Sequence, residues 1–350
     1  GAASAKETMN GALATRYSVD IVAMGDDISQ QMAKDVADIN GVSDTLYAPA
    51  VSVTLEKADG TRPTSALLVG VKNIDQVKQV MRVNLGNASI DSDSVLMPTY
   101  NAQTGKELQF ANGTADFSTE WNQDGDATRS LTLQAEQADY RRVSAQYGAV
   151  GFVDESHFTN GDLDAATHVL LVKADTDKSG VSVDGIYNDM QAALEKSADA
   201  TVTGPIAERI VWAKMIDSMM MLLVGLIAVA VLIALVGVAN TLSLSVIERT
   251  RESATLRAIG MTRGQLRRSL AVEALLISLV SGISGVLLGT LFGWLGAYVV
   301  FSMYGKVVFP FEWGINGIVL AVAAVAALLA SVFPARRAVS TPPVEALAEA

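Results

Sequence analysis

Three long stretches of this chain contain no charged residue. Ser218–Ile247 runs for 30 positions, Ala274–Gly305 for 32 and Trp313–Ala335 for 23. A helix needs about 20 predominantly apolar residues to cross the hydrocarbon core of a bilayer. All three runs meet that length. The first two exceed it, so they are expected to tilt or to project beyond the bilayer. The alternative is three core helices of a large soluble protein, and soluble cores rarely use three such runs in succession.

Lys/Arg placement in short flanking loops orients the spans. The loop between the first two runs holds Arg249, Arg251, Arg257, Arg263, Arg267 and Arg268, and Arg336 and Arg337 follow the third run. The loop between the second and third runs has only Lys306. The arginine loop and the C-terminal tail are therefore expected in the cytoplasm. Residues 1–211 and the Lys306 loop are then extracytoplasmic. Tyr298, Phe301, Tyr304, Phe309, Phe311 and Trp313 cluster at the outer ends of spans two and three, as interfacial aromatics do.

The chain is 50% hydrophobic with a net charge of −11, but its halves differ. Residues 1–211 carry 16 Lys/Arg against 30 Asp/Glu, whereas 212–350 carry 10 against 7. An acidic soluble part thus precedes a slightly basic apolar part. The acidic balance argues against nucleic-acid binding, which needs Lys/Arg to neutralise phosphate. With no cysteine, thiolate catalysis, disulfides and Cys-ligated zinc are excluded. His157 and His168, the only histidines, make a His-rich metal site unpromising.

The acidic part reads as α+β. Tyr17–Met24 alternates like a strand. Asp26 and Asp27 offer an N-cap to a helix carrying Ile28, Met32, Val36 and Ile39, with Gly41 as its C′ stop. Val51, Val53 and Leu55 alternate before Asp59-Gly60, a hairpin signal, and Ala66–Val71 returns as the partner strand. His168–Ala174 is a buried-type strand. Ser182 caps a helix through Ile186 and Met190, and Thr201–Thr203 is a short strand. A β-α-β pattern thus stands at each end. The reading is one α/β subdomain, 16–72 and 167–204, split by a β-rich insert at 73–166. Asn122–Asp126, "NQDGD", has calcium-type residues but lacks the rest of an EF-hand loop, so a polar turn is favoured.

Pro205 suits the first turn of a helix. The helix is expected to run through 205–247 without a breaker, as a stalk that becomes span one and can transmit motion mechanically. Span two is assigned to 266–301, span three to 313–335 and a cytoplasmic tail to 336–350. Gly285, Gly289 and Gly293 recur every four residues in span two and mark a helix-packing face, within the subunit or across a dimer; general flexibility is the alternative. Asn240 is read as an interhelical hydrogen-bond donor rather than a substrate ligand. No chain of ionisable residues crosses the spans, which argues against ion-coupled transport.

The chain has no G-x-x-x-x-G-K-[ST] phosphate loop, no H-E-x-x-H and no G-x-S-x-G, and no catalytic constellation emerges. The arginine loop has internal order instead. Glu248–Ile259 is helix-friendly, Gly260 can end that helix, and Thr262 with Gln265 has capping-box spacing for the helix that follows. A charged topology anchor beside anionic lipid is the competing reading.

The segment "ERTRESATLRAIGMTRGQLRRSLAVEALLISLVSG" resembles the signature of FtsX-like, MacB-type ABC transporter permeases, the mechanotransmission (type VII) group. The matching positions are Glu248, Arg249, Arg251, Glu252, Leu256, Arg257, Ala258, Gly260, Thr262 and Gln265, followed by Glu273 and Ala274. Phe333–Leu347 resembles the family's tail. The resemblance implies that 248–265 is a cytoplasmic coupling helix seated in a separate ABC ATPase, itself a dimer that binds ATP and magnesium. It implies no cofactor and no catalysis in this chain, a second permease unit as homodimer or as another half of one polypeptide, and residence in the cell membrane. The family unit has four spans, so residues 1–15 are expected to end a helix from an upstream span. The implied function is export or extraction of amphiphilic cargo such as a lipid, lipoprotein, peptide or antibiotic. The alternatives are a complex that activates an extracytoplasmic partner such as a cell-wall hydrolase, and a membrane-anchored binding protein without an ATPase.

Overall fold

The computed structural model describes residues 16–59, 62–121, 127–248, 255, 258–301 and 313–325. The chain divides into two units, one of residues 9–213 and the other containing Lys214–Ala350.

Among the described residues the first unit has nine strands: β1 (Ile21–Gly25), β2 (Val42–Asp59), β3 (Arg62–Val71), β4 (Ser94–Pro98), β5 (Thr114–Trp121), β6 (Ala127–Ala138), β7 (Ala149–Asp154), β8 (Thr167–Ala174) and β9 (Thr201–Thr203). Helices α1 (Gln30–Ala37), α2 (Ile74–Val80), α3 (Ser156–Thr159) and α4 (Val183–Ala193) connect or cover them. One end of the sheet has the order β9-β1-β8-β2, with all neighbours antiparallel. Its connectivity is β1-α1-β2 and β8-α4-β9, a split ferredoxin-like unit. Alternation explains its two faces. Ile21 and Ala23 of β1 point with Leu170 and Val172 of β8 into a core closed by Ala33 and Val36 of α1 and Ile186 and Met190 of α4. Val22, Val169 and Leu171 point the other way, into a second core that includes Val77 and Val80 of α2.

β2 is long enough to serve two assemblies. Its first half pairs with β8, and its second half pairs with β3 on one edge and with β5 at Thr54–Ser118 and Leu55–Phe117 on the other. The remaining pairs, β3–β7, β7–β4, β4–β6 and β6–β5, complete a closed circuit of six strands. Residues two apart share a strand face. Val51, Val53 and Leu55 accordingly meet Ala66, Leu68, Val95, Met97, Phe117 and Val153 in a filled interior. Gly151 belongs to this lining: a Cβ there would lie 2.6 Å from Met97 Sδ. So small a barrel has room only for side chains. The region 73–166 is β-rich, and its four strands continue the sheet that β2 and β3 begin.

Three local expectations change. The strand expected over Tyr17–Met24 begins only at Ile21, as β1, and residues 17–20 belong to no strand. The cap of α1 is Ser29, whose hydroxyl accepts from Met32 N–H at 3.2 Å, rather than Asp26 or Asp27. The backbone N–H groups of Asp26 and Asp27 instead donate to Asp199, at 2.7 and 3.4 Å. Gly41 has φ +99° but lies in the turn into β2, three residues beyond the C-cap Asp38. A Cβ on Gly41 would approach Val181 Cγ1 to 2.5 Å. Ser182 caps α4 as expected, accepting from Gly185 N–H at 3.0 Å.

The second unit is helical. Helix α5 (Pro205–Glu248) begins in the first unit and continues without interruption into this one. It is followed by α6 (Arg263–Phe301) and α7 (Trp313–Val325). Among the described residues, two helical segments are long and apolar enough to cross a membrane: Pro205–Gly237 and Leu279–Val299. The third expected span, 313–335, is represented by the shorter apolar helix α7, and its residues 326–335 lie outside the described set. Of the three expected spans, two are thus represented by helices of sufficient length among the described residues, and the third is not established by the shorter α7.

Candidate coupling segment

Helix α5 has 44 residues, about 66 Å at 1.5 Å per residue. Between Met219 and Gly237 its apolar side chains are largely uncovered, with Met221, Ile233 and Val236 all more than two-thirds exposed. A helix that is hydrophobic all round needs an apolar surrounding. In α6 the exposed surface is likewise apolar, with Val280, Leu287 and Phe292 uncovered.

The segment between α5 and α6 carries the residues singled out in the sequence. Glu248 is the last residue of α5. Arg249, Arg251, Glu252, Leu256 and Arg257 lie outside the described residues. Ala258 is exposed and helical, and Ile259 N–H donates to Thr255 O at 3.1 Å, a helical bond. Gly260 then adopts φ +108°, a left-handed conformation that glycine reaches without a Cβ clash. Two residues later the Thr262 N–H donates to Gln265 Oε1 at 2.9 Å, and the Gln265 N–H donates to Thr262 Oγ1 at 3.3 Å. Both bonds of a capping box are therefore present, and α6 begins at Arg263. Ile259 is 79% exposed, a large apolar side chain beside the stop.

The glycine series in α6 separates into different surroundings. Gly282 packs toward α7, where a Cβ would meet Leu320 Cδ2 at 3.0 Å. A Cβ on Gly285 or Gly289 would meet nothing within 4 Å among the described residues, and Gly293 is half-buried.

The nine-stranded unit contains polar groups that sequence reasoning missed. Tyr17 donates its hydroxyl to Glu208 in the first turn of α5, and the Arg142 guanidinium lies 5.6 Å from the Tyr17 ring centre. Burial, then the bond to Glu208, holds the Tyr17 phenol well above its ordinary value. Arg82 makes a two-pronged pair with Asp20, at 3.0 Å from Nε and 2.5 Å from Nη2. That bond raises the Arg82 pKa. No periodicity marks these residues, because their partners are up to 191 positions away. His157 is buried, with Nδ1 2.9 Å from Asp162 and Nε2 2.6 Å from Ser92 O, so both ring nitrogens are engaged in structure. Among the described residues no group of three or more His, Cys, Asp or Glu is arranged to hold a metal.

Residues 224–343 match the FtsX-like permease C-terminal family model. The chain carries an FtsX-like permease domain. The match to that permease domain spans the Gly260 stop and the Thr262–Gln265 cap. An uncharacterised ABC transporter permease of Methanocaldococcus jannaschii is 28% identical over 178 residues, 49% of this chain and 44% of that protein. The macrolide export ATP-binding/permease protein MacB of Brucella abortus is 32% identical over 141 residues, 38% of this chain and 22% of that one. The pyoverdine export ATP-binding/permease protein PvdT of Pseudomonas syringae pv. syringae is 23% identical over 348 residues, 88% of this chain and 50% of that one. The chain spans half or less of the length of these curated relatives.

Proposed function

We propose that this chain is the permease part of an ABC transport system in the cell membrane. An ATP-binding unit seats on residues 248–265, and its movement passes along α5 to the nine-stranded unit on the far side of the bilayer. The observation that carries this reading is the stop-and-cap geometry at Gly260, Thr262 and Gln265, between two apolar helices and within the matched permease domain. Lipid anchoring by arginine calls for charge alone. A rigid break flanked by helical turns and an exposed Ile259 suits a protein surface better.

ATP and magnesium belong to the ATP-binding unit, since the chain has no phosphate-binding loop of its own. That unit is a separate subunit or, as the names of the MacB and PvdT relatives join the two functions, another part of one polypeptide. The open faces of Gly285 and Gly289 suit a second permease unit. Export of an amphiphilic molecule is the function we favour, because the relatives' names include macrolide and pyoverdine export. Nine-stranded-unit motion that activates an external partner uses the same coupling.

Charge reversal at Arg257, or Gly260→Leu, is expected to abolish capture of the ATP-binding unit while membrane insertion continues. Normal capture in both variants overturns the assignment.

A further inference from the structure

Residues 17–20 form a short strap with an unusual set of partners. Tyr17, Ser18 and Val19 are almost fully buried, at 4%, 0% and 1% exposure, although the segment belongs to no strand of the sheet. On one side the strap holds the start of α5: Tyr17 donates to Glu208, and Ile206 N–H donates to Asp20 O at 3.3 Å. On the other it holds two distant loops. Arg82 N–H donates to Ser18 O at 2.7 Å, Arg141 N–H donates to Ser18 Oγ at 2.6 Å, and Ser18 N–H donates to Arg142 O at 3.0 Å. Arg82 follows α2, and Arg141 and Arg142 lie between β6 and β7, so both loops belong to the region that completes the barrel.

We infer that residues 17–20 couple the first turn of α5 to the Arg82 and Arg141–Arg142 loops, with the Tyr17–Glu208 hydrogen bond as the joint. The inference rests on the coupling reading above for its purpose: motion arriving along α5 enters the barrel through this strap as well as through β9 and β1. The geometry suits load transfer. Every backbone polar contact of Ser18 is to one of the two loops, and α5 meets the strap at residues on either side of it. The buried Tyr17 phenol stays protonated, and so remains a donor, throughout the neutral range.

The test is hydrogen exchange on the whole chain in lipid nanodiscs, read at the amides of Ser18, Arg82 and Arg141. Tyr17→Phe keeps the ring and removes the joint; Glu208→Gln weakens it from the other side. Both variants are expected to speed exchange at these amides together, by about tenfold, in keeping with loss of a hydrogen bond to a charged group. Leu194 N–H, which is bonded to Met190 O in α4, should keep its parental rate and shows that the fold is intact. The double variant should add little to either single one, since both act through one bond. Acceleration confined to Ile206 and Glu208, with Arg82 and Arg141 unchanged, overturns the strap. These rates are read without any ATP-binding partner. Failure to capture that partner at 248–265 would therefore count against the coupling reading and leave the strap's own test standing.

Discussion

Thr262 and Gln265 hold each other across the first turn of α6. The Thr262 backbone donates to the Gln265 side chain at 2.9 Å, and the Gln265 backbone donates to the Thr262 hydroxyl at 3.3 Å. This reciprocal pair fixes where α6 begins and how far it stands from the Gly260 stop. Replacing Thr262 by Ala removes the hydroxyl that accepts from Gln265 N–H and donates to Gln265 Oε1 at 3.1 Å, and is expected to cost about 1 kcal/mol at the helix start. Under the coupling account, capture of the ATP-binding unit should weaken several-fold, measured by titration against nanodisc-embedded chain, with membrane insertion unchanged.

Gly260→Ala separates conformation from bulk. A Cβ at Gly260 meets nothing within 4 Å, so any effect comes from φ +108° rather than from a clash inside the described chain. The expected penalty is about 1 kcal/mol. A partial loss of capture in Gly260→Ala and a complete loss in Gly260→Leu would indicate a partner surface packed against the turn. Equal, mild losses in both would indicate a turn that faces only solvent or lipid.

Much of the nine-stranded unit was legible in sequence because its signals are local. A buried-type apolar run marks β8, the Ser182 cap marks α4, and Asp59-Gly60 marks the hairpin whose arms pair down to Asp59–Arg62. The Thr262–Gln265 cap was legible for the same reason. Barrel closure was not. It depends on β2 changing partners partway along its length, and on pairs such as Leu55–Phe117 set by packing rather than by pattern. The assignment of Asp26 and Asp27 as a cap failed because the helix starts later, at Gln30, where the Ser29 hydroxyl takes the capping bond, while the Asp26 and Asp27 N–H groups bond Asp199, 172 or more positions away.

Gly41→Ala tests the packing of the ferredoxin-like half. The added methyl group meets Val181 at 2.5 Å in a left-handed backbone. Destabilisation of about 2 kcal/mol or more is expected, seen as a lower midpoint in urea unfolding followed by circular dichroism. An unchanged midpoint would show that the turn between α1 and β2 is looser than described.

Asp199 gives a pH test with a definite sign. Its carboxylate accepts from the Asp26 and Asp27 N–H groups, and the Asp26 bond foremost lowers its pKa below the ordinary 3.8. A depressed folded-state pKa contributes stability above the unfolded value, and that contribution is lost as pH falls through the folded one. Asp199→Asn should therefore lower the melting temperature at neutral pH, with the difference from the parent shrinking as pH drops below 3.8. A difference that is constant from neutral pH into acid would show that the charge does not matter.

The docking claim itself can be tested by site-specific photocrosslinking in native membranes. The chain has no cysteine, so a single cysteine carrying a benzophenone can be placed at Ala258 or Met261, and at Lys306 as a control. The account predicts an adduct with an ATP-binding polypeptide from Ala258 and Met261, identified by mass spectrometry, and none from Lys306. Adducts with lipid alone at all three positions would contradict it and return the arginine loop to a topology anchor.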